Sequence, residues 1–215
     1  MDNKLINLNF EGLIERLSMN LNLPLPGMMA HKKMAASTRF ALPVGPNDFT
    51  RKSAVLILFY PKAHEIKIPF ILRPPYDNTH GSQVTFPGER IEKTDENLTR
   101  TALREAQEEI GIRTADVQII GQLSELYIPP SNFLVQPVIG YMNTKPAFYP
   151  DPREVEAVFE VSFEELINPN NISDHLLDIK GIKISAPTYT FQNQKIWGAT
   201  AMMIAELLMV IQSSK

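Results

Sequence analysis

The sequence feature that most constrains the fold is the stretch Leu103–Gly111, LREAQEEIG, near the middle of the 215-residue chain. Apolar residues recur around it at helical spacing, at Leu98, Ala102, Leu103, Ala106 and Ile110. This pattern predicts an amphipathic helix over 96–110 with one face packed on a core. Thr94 or Asp95 is predicted to cap its beginning, and Gly111 stands where a left-handed residue commonly ends a helix.

Three glutamates, Glu105, Glu108 and Glu109, stand at i, i+3 and i+4 of this helix and are therefore neighbours on its surface. Acidic side chains near a helix C-terminus oppose the macrodipole, and Arg104 offsets only part of this charge by reaching Glu108. The usual interpretation of such a run is a solvated face. Carboxylate oxygens are also the ligands that Mg²⁺ and Mn²⁺ prefer, and a bound cation would offset the repulsion. We therefore favour a metal site.

The remaining pattern mixes strands and helices without a βαβ rhythm, which favours an α+β fold over a doubly wound one. We predict helices at 9–18 and 198–213, a helical turn at 162–167, strands at 53–60, 66–73, 83–86, 116–126, 132–142 and 158–161, and a hairpin at 183–197. The stretch 28–52 has no clear pattern. Its basic residues Lys32, Lys33 and Arg39 are interpreted either as anion contacts or, more commonly, as solvated charges.

The composition of the chain limits the binding partners and the location that we expect. The net charge of −3 gives no reason to expect general affinity for nucleic acid or membranes. The chain has no cysteine, which excludes disulfides and thiolate metal sites and is compatible with a cytoplasmic location. We expect no signal peptide, and the apolar run Ala199–Ile211 is interrupted by Glu206 and too short to span a bilayer. The apolar face of 9–18 is interpreted either as a homodimer interface or as core packing.

The stretch from Gly88 to Ile112 resembles the Nudix box, whose usual form is G-x5-E-x7-R-E-U-x-E-E-x-G-U with U apolar. The second half of the box fits at Arg104, Glu105, Glu108, Glu109, Gly111 and Ile112. The longer stretch HGSQVTFPGERIEKTDENLTRTALREAQEEIG is similar to the coenzyme A pyrophosphatase branch of the Nudix hydrolases. Further similarity lies in SNFLVQPVIGY (131–141), REVEAVFEV (153–161) and KIWGATA (195–201).

Three positions depart from the pattern of this branch. Glu89 replaces the second glycine of a Gly-Gly pair, Ser82 replaces a glycine before Gln83, and the acid at Glu156 stands in a shifted order. Because glycine tolerates positive φ and close approach of a ligand, Glu89 is interpreted in one of three ways. It distorts the metal-binding loop, repels a phosphate, or adds a metal ligand.

The resemblance implies a Nudix-type α/β/α sandwich with a mixed central β-sheet and a loop–helix motif. We expect a Nudix hydrolase domain over 53–215, with 1–52 as an N-terminal helix and irregular extension packed on it. It also implies Mg²⁺ or Mn²⁺ as cofactor, held by Glu105, Glu108 and Glu109 with the carbonyl of Gly88.

Catalytic roles are assigned by the same resemblance. Glu105 and Glu108 belong to the catalytic set, and the general base is interpreted as Glu105, Glu154 or Glu156. Arg104 is expected to pair with the glutamates and hold their orientation.

Three further residues are predicted to bind the substrate. Arg73 is interpreted as a phosphate clamp or a surface ion pair. His80 matches a histidine of the branch, and Phe133 is interpreted as a base-stacking residue or as core.

Three functions are compatible with the pattern. The first is divalent-metal-dependent hydrolysis of coenzyme A or acyl-coenzyme A to 3′,5′-ADP and 4′-phosphopantetheine or its acylated form. The second is hydrolysis of another small nucleotide, such as ADP-ribose, a nucleotide sugar or a nucleoside triphosphate. The third is a non-catalytic Nudix-like domain that binds a nucleotide or a protein, which the substitutions at Glu89 and Ser82 suggest.

Overall fold

The fold is built on a mixed β-sheet, seen in a computed structural model that describes residues 8–37, 39, 45–75, 83–179 and 181–213. The helices are α1 (Phe10–Asn20), α2 (Met28–His31), α3 (Leu98–Ile110), α4 (Phe163–Ile167) and α5 (Gly198–Gln212). The strands are β1 (Arg51–Lys62), β2 (Glu65–Leu72), β3 (Val84–Thr85), β4 (Gly88–Arg90), β5 (Gln118–Gln122), β6 (Leu126–Ile128), β7 (Phe133–Tyr141), β8 (Ala157–Ser162), β9 (Ile172–Ile179), β10 (Ile182–Phe191) and β11 (Gln194–Ile196).

The main sheet has eight strands in the order β3-β2-β1-β7-β5, with β4 beside β1, β6 beside β7 and β8 beside β2. Strands β1 and β7 run parallel, whereas the other pairs in this sheet are antiparallel. A smaller antiparallel sheet has the order β11-β10-β9. The predicted α+β class with a mixed central sheet is confirmed.

The central strand β1 is buried on both faces of the sheet, which explains its continuous apolar run. Val55 and Phe59 belong to one core cluster with residues of α1 and α5. Leu56 and Leu58 belong to a second cluster with residues of α3. Because strand side chains alternate, α3 lies on one face of the sheet and α1 and α5 lie on the other. The predicted α/β/α layering is confirmed.

The helix α3 begins two residues later than predicted, and its cap differs. The side chain of Asn97 accepts a hydrogen bond from the backbone N–H of Arg100 at 3.0 Å, so Asn97 is the cap and neither Thr94 nor Asp95 is. Gly111 ends the helix in the left-handed region, with φ 70°, as predicted.

The predicted strand 116–126 is divided into β5 and β6, and Pro137 of β7 explains why. The backbone N–H of Leu123 donates to the Pro137 carbonyl at 3.0 Å, but proline has no N–H to return the bond. The Nε2 atom of Gln136 donates to the Leu123 carbonyl instead, at 2.7 Å. The ladder therefore stops at this point and resumes as β6.

Three other elements were not predicted. The short strand β4 lies outside all the predicted strands. The four-residue helix α2 lies in the stretch without a clear pattern, and β9 pairs with β10 although its sequence alternates only weakly.

The apolar face of α1 packs inside the chain, because Leu13 and Leu17 are fully buried in the cluster that includes α5. A homodimer and the domain boundary at residue 52 stay predictions. None of the helices in the described ranges is both long and apolar enough to cross a bilayer.

Candidate metal and active site

Three carboxylates meet where the sequence predicted a metal site. One oxygen from each of Glu105, Glu109 and Glu154 lies within 4.8 Å of the others. The first two come from successive turns of α3 and are buried, whereas Glu154 comes from the loop between β7 and β8 and is exposed. The cluster therefore has a rigid inner side and a side open to solvent.

The loop that carries Glu154 is tied to the end of α3. The N–H of Tyr149 donates to the Ile110 carbonyl at 2.9 Å, and the N–H of Asp151 donates to the Glu109 carbonyl at 3.1 Å. These bonds satisfy two of the carbonyls that the end of a helix leaves without helical partners. The N–H of Glu154 then donates to the Asp151 carbonyl at 3.0 Å, which fixes the backbone of Glu154 beside the helix.

Glu109 has both carboxylate oxygens held by hydrogen bonds. It is fully buried, its Oε2 accepts from the N–H of Gly88 at 2.7 Å, and its Oε1 accepts from Nη2 of Arg73 at 2.7 Å. The same nitrogen of Arg73 donates to the Gly88 carbonyl at 2.8 Å. Burial raises the pKa of Glu109 to about 8, although Arg73 and the Gly88 N–H act in the opposite direction.

Gly88 cannot be replaced by another residue without a clash. Its φ is 151°, and a Cβ built there would lie 2.2 Å from the Ala54 carbonyl oxygen and 2.6 Å from the Val55 Cα. Glycine therefore lets β4 approach β1 closely enough for its backbone to contact Glu109.

Arg104 connects the upstream loop to the glutamates. Its Nε and Nη2 donate to the two oxygens of Asp95 at 2.9 Å each, and its Nη1 donates to Glu105 at 2.6 Å and to Glu108 at 2.9 Å. The predicted pairing with the glutamates is therefore present. The guanidinium of Arg104 holds the pKa of Asp95 well below its usual range.

Asp95 is the partner of Arg104 that the sequence analysis did not name. The signal was available, because the Nudix box has an acid in the loop before its helix, and Asp95 is an acid in the corresponding loop of this chain, one residue further from Gly88 than the usual form has it. The aspartate was interpreted as a helix cap, and a cap and an arginine partner cannot be distinguished from spacing alone. The structure shows that Asp95 pairs with Arg104 and does not cap the helix.

The donor set fits a hard divalent cation. Burial raises the pKa of Glu105 to about 7, against the effect of Arg104, and the charges of Glu108 and Glu89 act in the same direction as burial. Two buried carboxylates side by side favour a bound cation, which would lower both pKa values. Ligand distances of about 2.0–2.1 Å place the oxygens around Mg²⁺ no more than about 4.2 Å apart. One oxygen of each of the three carboxylates lies within 4.8 Å of the others, which is a comparable spacing.

The other predicted site residues lie outside this cluster. Glu108 has a side chain that is 56% exposed and pairs with Arg104. Glu156 is exposed, and its N–H donates to the carbonyl of Leu72. Phe133 packs against the core cluster on the opposite face of the sheet, with the Arg51 guanidinium 4.1 Å from its ring centre. These roles stay predictions.

Two predicted positions cannot be placed. His80 and Ser82 lie outside the described residues.

Comparison with known proteins identifies the family of this chain. The model of the NUDIX domain matches residues 50–180, which is more than half of the chain. The curated relative "Uncharacterized Nudix hydrolase NudL" from Photorhabdus laumondii is 34% identical over 186 residues, covering 81% of this chain and 95% of the relative. The protein of the same name from Pectobacterium atrosepticum is 34% identical over 181 residues, with 81% and 92% covered.

Solved structures are more distant. A MutT/nudix family protein from Enterococcus faecalis is 13% identical, with a TM-score of 0.49 over 82% of this chain and 70% of that one. The binary complex of the C. elegans Ap4A hydrolase is 18% identical, with a TM-score of 0.47 over 55% and 84%.

The chain therefore belongs to the NUDIX domain family. Membership of this family supports a pyrophosphohydrolase activity. Nudix hydrolases generally use divalent metals such as Mg²⁺ or Mn²⁺.

Proposed function

We propose that this chain hydrolyses the pyrophosphate bond of coenzyme A and acyl-coenzyme A to give 3′,5′-ADP and 4′-phosphopantetheine or its acylated form. The observation that carries the hydrolytic part is the convergence of Glu105, Glu109 and Glu154 in one cluster. The choice of coenzyme A is supported by the similarity of residues 80–111 to the coenzyme A pyrophosphatase branch, together with the three shorter stretches described above.

In this proposal Glu105, Glu109 and Glu154 hold Mg²⁺ or Mn²⁺, with Glu108 as a candidate for a further contact. The cation would neutralise charge on the pyrophosphate and lower the pKa of a bound water. Other residues of the chain orient the carboxylates that would hold the cation. Arg104 fixes Glu105, while the backbone of Gly88 fixes Glu109, so that little side-chain entropy is lost when a ligand binds.

Arg73 was predicted to clamp a phosphate or to form a surface ion pair. Its side chain is only 16% exposed, and its Nη2 is engaged with Glu109 and the Gly88 carbonyl. These contacts support a positioning role for Arg73, in which it orients Glu109. Among the candidate general bases, Glu105 and Glu154 are supported by their place in the cluster, and Glu156 is not.

The reaction adds one water across the phosphoanhydride. The water oxygen bonds to one phosphorus, the bridging P–O bond of that phosphorus breaks, and the second phosphate leaves with the bridging oxygen. The proton from the attacking water passes to a base, for which we propose Glu105 or Glu154.

The test is a substrate panel analysed by mass spectrometry. The purified chain is incubated with Mg²⁺ or Mn²⁺ and coenzyme A, acetyl-coenzyme A, ADP-ribose, NADH or a deoxynucleoside triphosphate, in water enriched in ¹⁸O. We expect 3′,5′-ADP and phosphopantetheine from coenzyme A, with one ¹⁸O in only one of the two products. Cleavage of another panel member alone would support the second Nudix function, and no cleavage of any would support a binding domain.

Two variants test whether the hydrolytic activity depends on the carboxylate cluster. Glu109→Gln should lower kcat/KM by more than about tenfold, because a ligand of the proposed cation is lost. Glu164→Gln, which changes an exposed glutamate of α4, should leave the activity unchanged. Circular dichroism of both variants checks that the fold is retained. Equal activity of Glu109→Gln and the unaltered chain would contradict the assignment.

A further inference from the structure

An open pocket of about 530 Å³ lies apart from the carboxylate cluster. Its lining comes from the end of β1, the beginning of β2, strand β8 and the loop between β7 and β8, and includes Lys62, Lys67, Glu160 and Phe148. Lys67 precedes Arg73, which contacts Glu109, by a distance of roughly 20 Å along the strand. The volume is within the range of pockets that bind small molecules, about 300–1,000 Å³.

The carboxylate of Glu160 in this pocket is engaged by neighbouring side chains. Its Oε1 accepts a hydrogen bond from the hydroxyl of Tyr60, and its Oε2 accepts one from Nζ of Lys62. Burial acts to raise the pKa of Glu160, but the hydrogen bonds from Lys62 and Tyr60 outweigh it and lower the pKa. With both oxygens engaged and a lysine beside it, Glu160 is a poor ligand for a further cation.

Lys67 is the side chain of the pocket that can bind an anion at least cost. Its side chain is only 12% exposed, and its Nζ lies 3.0 Å from Oε2 of Glu65, whose side chain is 49% exposed. An ammonium group has three hydrogens, so this contact leaves hydrogens for another acceptor. An ion pair with such an exposed partner contributes at most about 1 kcal/mol, so an anion in the pocket can replace Glu65.

The charges around the pocket also favour an anion. Lys62 and Lys67 line it, and the charge of Lys145 acts on Glu160. Their acidic partners among the described residues are Glu160 and Glu65. Three lysines therefore stand against two carboxylates, and this local excess of positive charge contrasts with the net charge of −3 of the whole chain.

The pocket has an apolar wall next to these charges. Phe148 and Val158 both line it and are partly exposed. The ring of Phe148 packs edge-to-face against Tyr60, with the ring centres 5.9 Å apart, so its orientation is fixed. Gln192, in the turn between β10 and β11, donates from Nε2 to the Glu160 carbonyl at 2.9 Å, which fixes that turn against β8. A flat apolar group would remove the exposed surface of this wall from water.

We propose that this pocket is a second ligand-binding site, which takes an organic anion. The phosphate or carboxylate of the ligand accepts hydrogen bonds from Lys67 and Lys62, and an attached flat apolar group covers Phe148 and Val158. The site is separate from the carboxylate cluster, and the proposal does not rest on the proposed function.

The test is a titration of the full ¹⁵N-labelled chain followed by heteronuclear NMR. The ligands are phenyl phosphate, inorganic phosphate and phenol, and EDTA removes cations that would attract a phosphate to the carboxylate cluster. Phenyl phosphate should bind at least about tenfold more tightly than either fragment, because the charge and the ring both contribute. The backbone amide signals of Lys67, Phe148 and Val158 should shift, whereas those of Gly88 and Glu109 should not.

Two variants compare the loss of one lysine at different places. Lys67→Met removes the ammonium group and keeps the apolar stem, so the affinity for phenyl phosphate should fall at least about tenfold while that for phenol is kept. Lys52→Met is the matched control, because Lys52 is an exposed lysine at the opposite end of β1 from Lys62. It removes the same charge from the chain and should leave the affinity unchanged. Circular dichroism checks the fold of both variants.

Four outcomes would overturn the proposal. They are no binding of phenyl phosphate at millimolar concentrations, equal affinity for phenyl phosphate and inorganic phosphate, equal affinity of the two variants, and signal shifts confined to Gly88 and Glu109. The second outcome would remove the apolar part of the site, and the last would place the anion at the carboxylate cluster instead. The position of the shifts is measured on the unaltered chain and does not depend on either variant.

Discussion

Gly88 contributes to the site through its backbone alone, since its N–H donates to Glu109 and its carbonyl accepts from Arg73. We predict that Gly88→Ala lowers the free energy of unfolding by at least about 2 kcal/mol, because both the φ value and the Cβ position are unfavourable. Urea unfolding followed by circular dichroism measures this difference.

Gly45→Ala is the control for this change. A Cβ at Gly45 would meet no atom within 4 Å, and the free energy of unfolding should change by less than about 0.5 kcal/mol. Equal stability of the two variants would show that β4 moves away from β1 at little cost.

Individual site residues were predictable to different degrees. Glu105 and Glu109 follow from helical spacing, because i and i+4 share a helix face whatever the rest of the fold does. Glu154 and Glu156 could not be separated, since their positions depend on how the loop between β7 and β8 is bonded to the end of α3. The hydrogen bonds from the N–H groups of Tyr149 and Asp151 to the last carbonyls of α3 bring Glu154 to the cluster.

Among the strands, β7 contains Pro137, which pairs with Val55 of β1 and accepts a hydrogen bond from the N–H of Leu123, just beyond the end of β5. Gln136 compensates for the missing N–H of the proline by donating to the Leu123 carbonyl, and its side chain is buried. We predict that Gln136→Met lowers the free energy of unfolding by about 1–3 kcal/mol, because the buried carbonyl loses this donor while the side-chain volume is nearly kept. Thermal or urea unfolding measures the loss.

Gln122→Met on the adjacent strand β5 is the control. The Gln122 side chain is exposed and donates to the Thr99 hydroxyl at 3.0 Å, so water can replace that bond and the stability should change little. An equal loss in both variants would mean that the Gln136 hydrogen bond does not stabilise the break between β5 and β6.

Elements with strong periodicity were predicted closely, and those that depend on distant partners were not. The spacing of Leu13 and Leu17 is sufficient to predict α1, and the same holds for α3. The break after Gln122 follows from a proline on another strand, which the sequence of β5 does not contain. Strand β9 exists through its pairing with β10, since its own sequence, ISDHLLDI, does not alternate regularly between apolar and polar residues.

In the molecule as a whole, the buried carboxylate of Glu206 joins three separate segments. Its Oε1 accepts from the N–H of Gly27 at 3.0 Å and from the N–H of Ser124 at 3.2 Å, and its Oε2 lies 2.8 Å from Nε2 of His31. Helix α5 is thereby connected to α2 and to the turn between β5 and β6. Burial alone would raise the pKa of Glu206, but the hydrogen bonds from His31 and Ser124 outweigh it and lower the pKa.

We predict that Glu206→Gln lowers the free energy of unfolding by about 2 kcal/mol at neutral pH, because charge-assisted hydrogen bonds are lost. A carboxylate whose pKa is lower in the folded chain stabilises it above the unfolded pKa and loses this contribution as the pH falls through the folded value. The difference in Tm between the unaltered chain and Glu206→Gln should therefore be largest near neutral pH and shrink below about pH 4.

Glu15→Gln, on the exposed side of α1, serves as the control and should show little difference in Tm at either pH. His31 is the titratable group that faces Glu206 among its described contacts, and it is the same in all three chains. A Tm difference that does not vary with pH would mean that Glu206 acts through its shape alone.

The bonds that hold the carboxylate cluster span very different lengths of chain, and this bears on the order in which the cluster forms during folding. Gly88 and Glu109 are 21 residues apart, within one strand–loop–helix segment, whereas Glu154 comes from a loop that follows β7. Closing a longer loop costs more chain entropy, and contacts between distant residues tend to form later. On a growing polypeptide, Glu105 and Glu109 are synthesised and able to meet Gly88 well before Glu154 has been made. The part of the carboxylate cluster on α3 can therefore form before the complete cluster, and the loop between β7 and β8 is the last part needed to finish it.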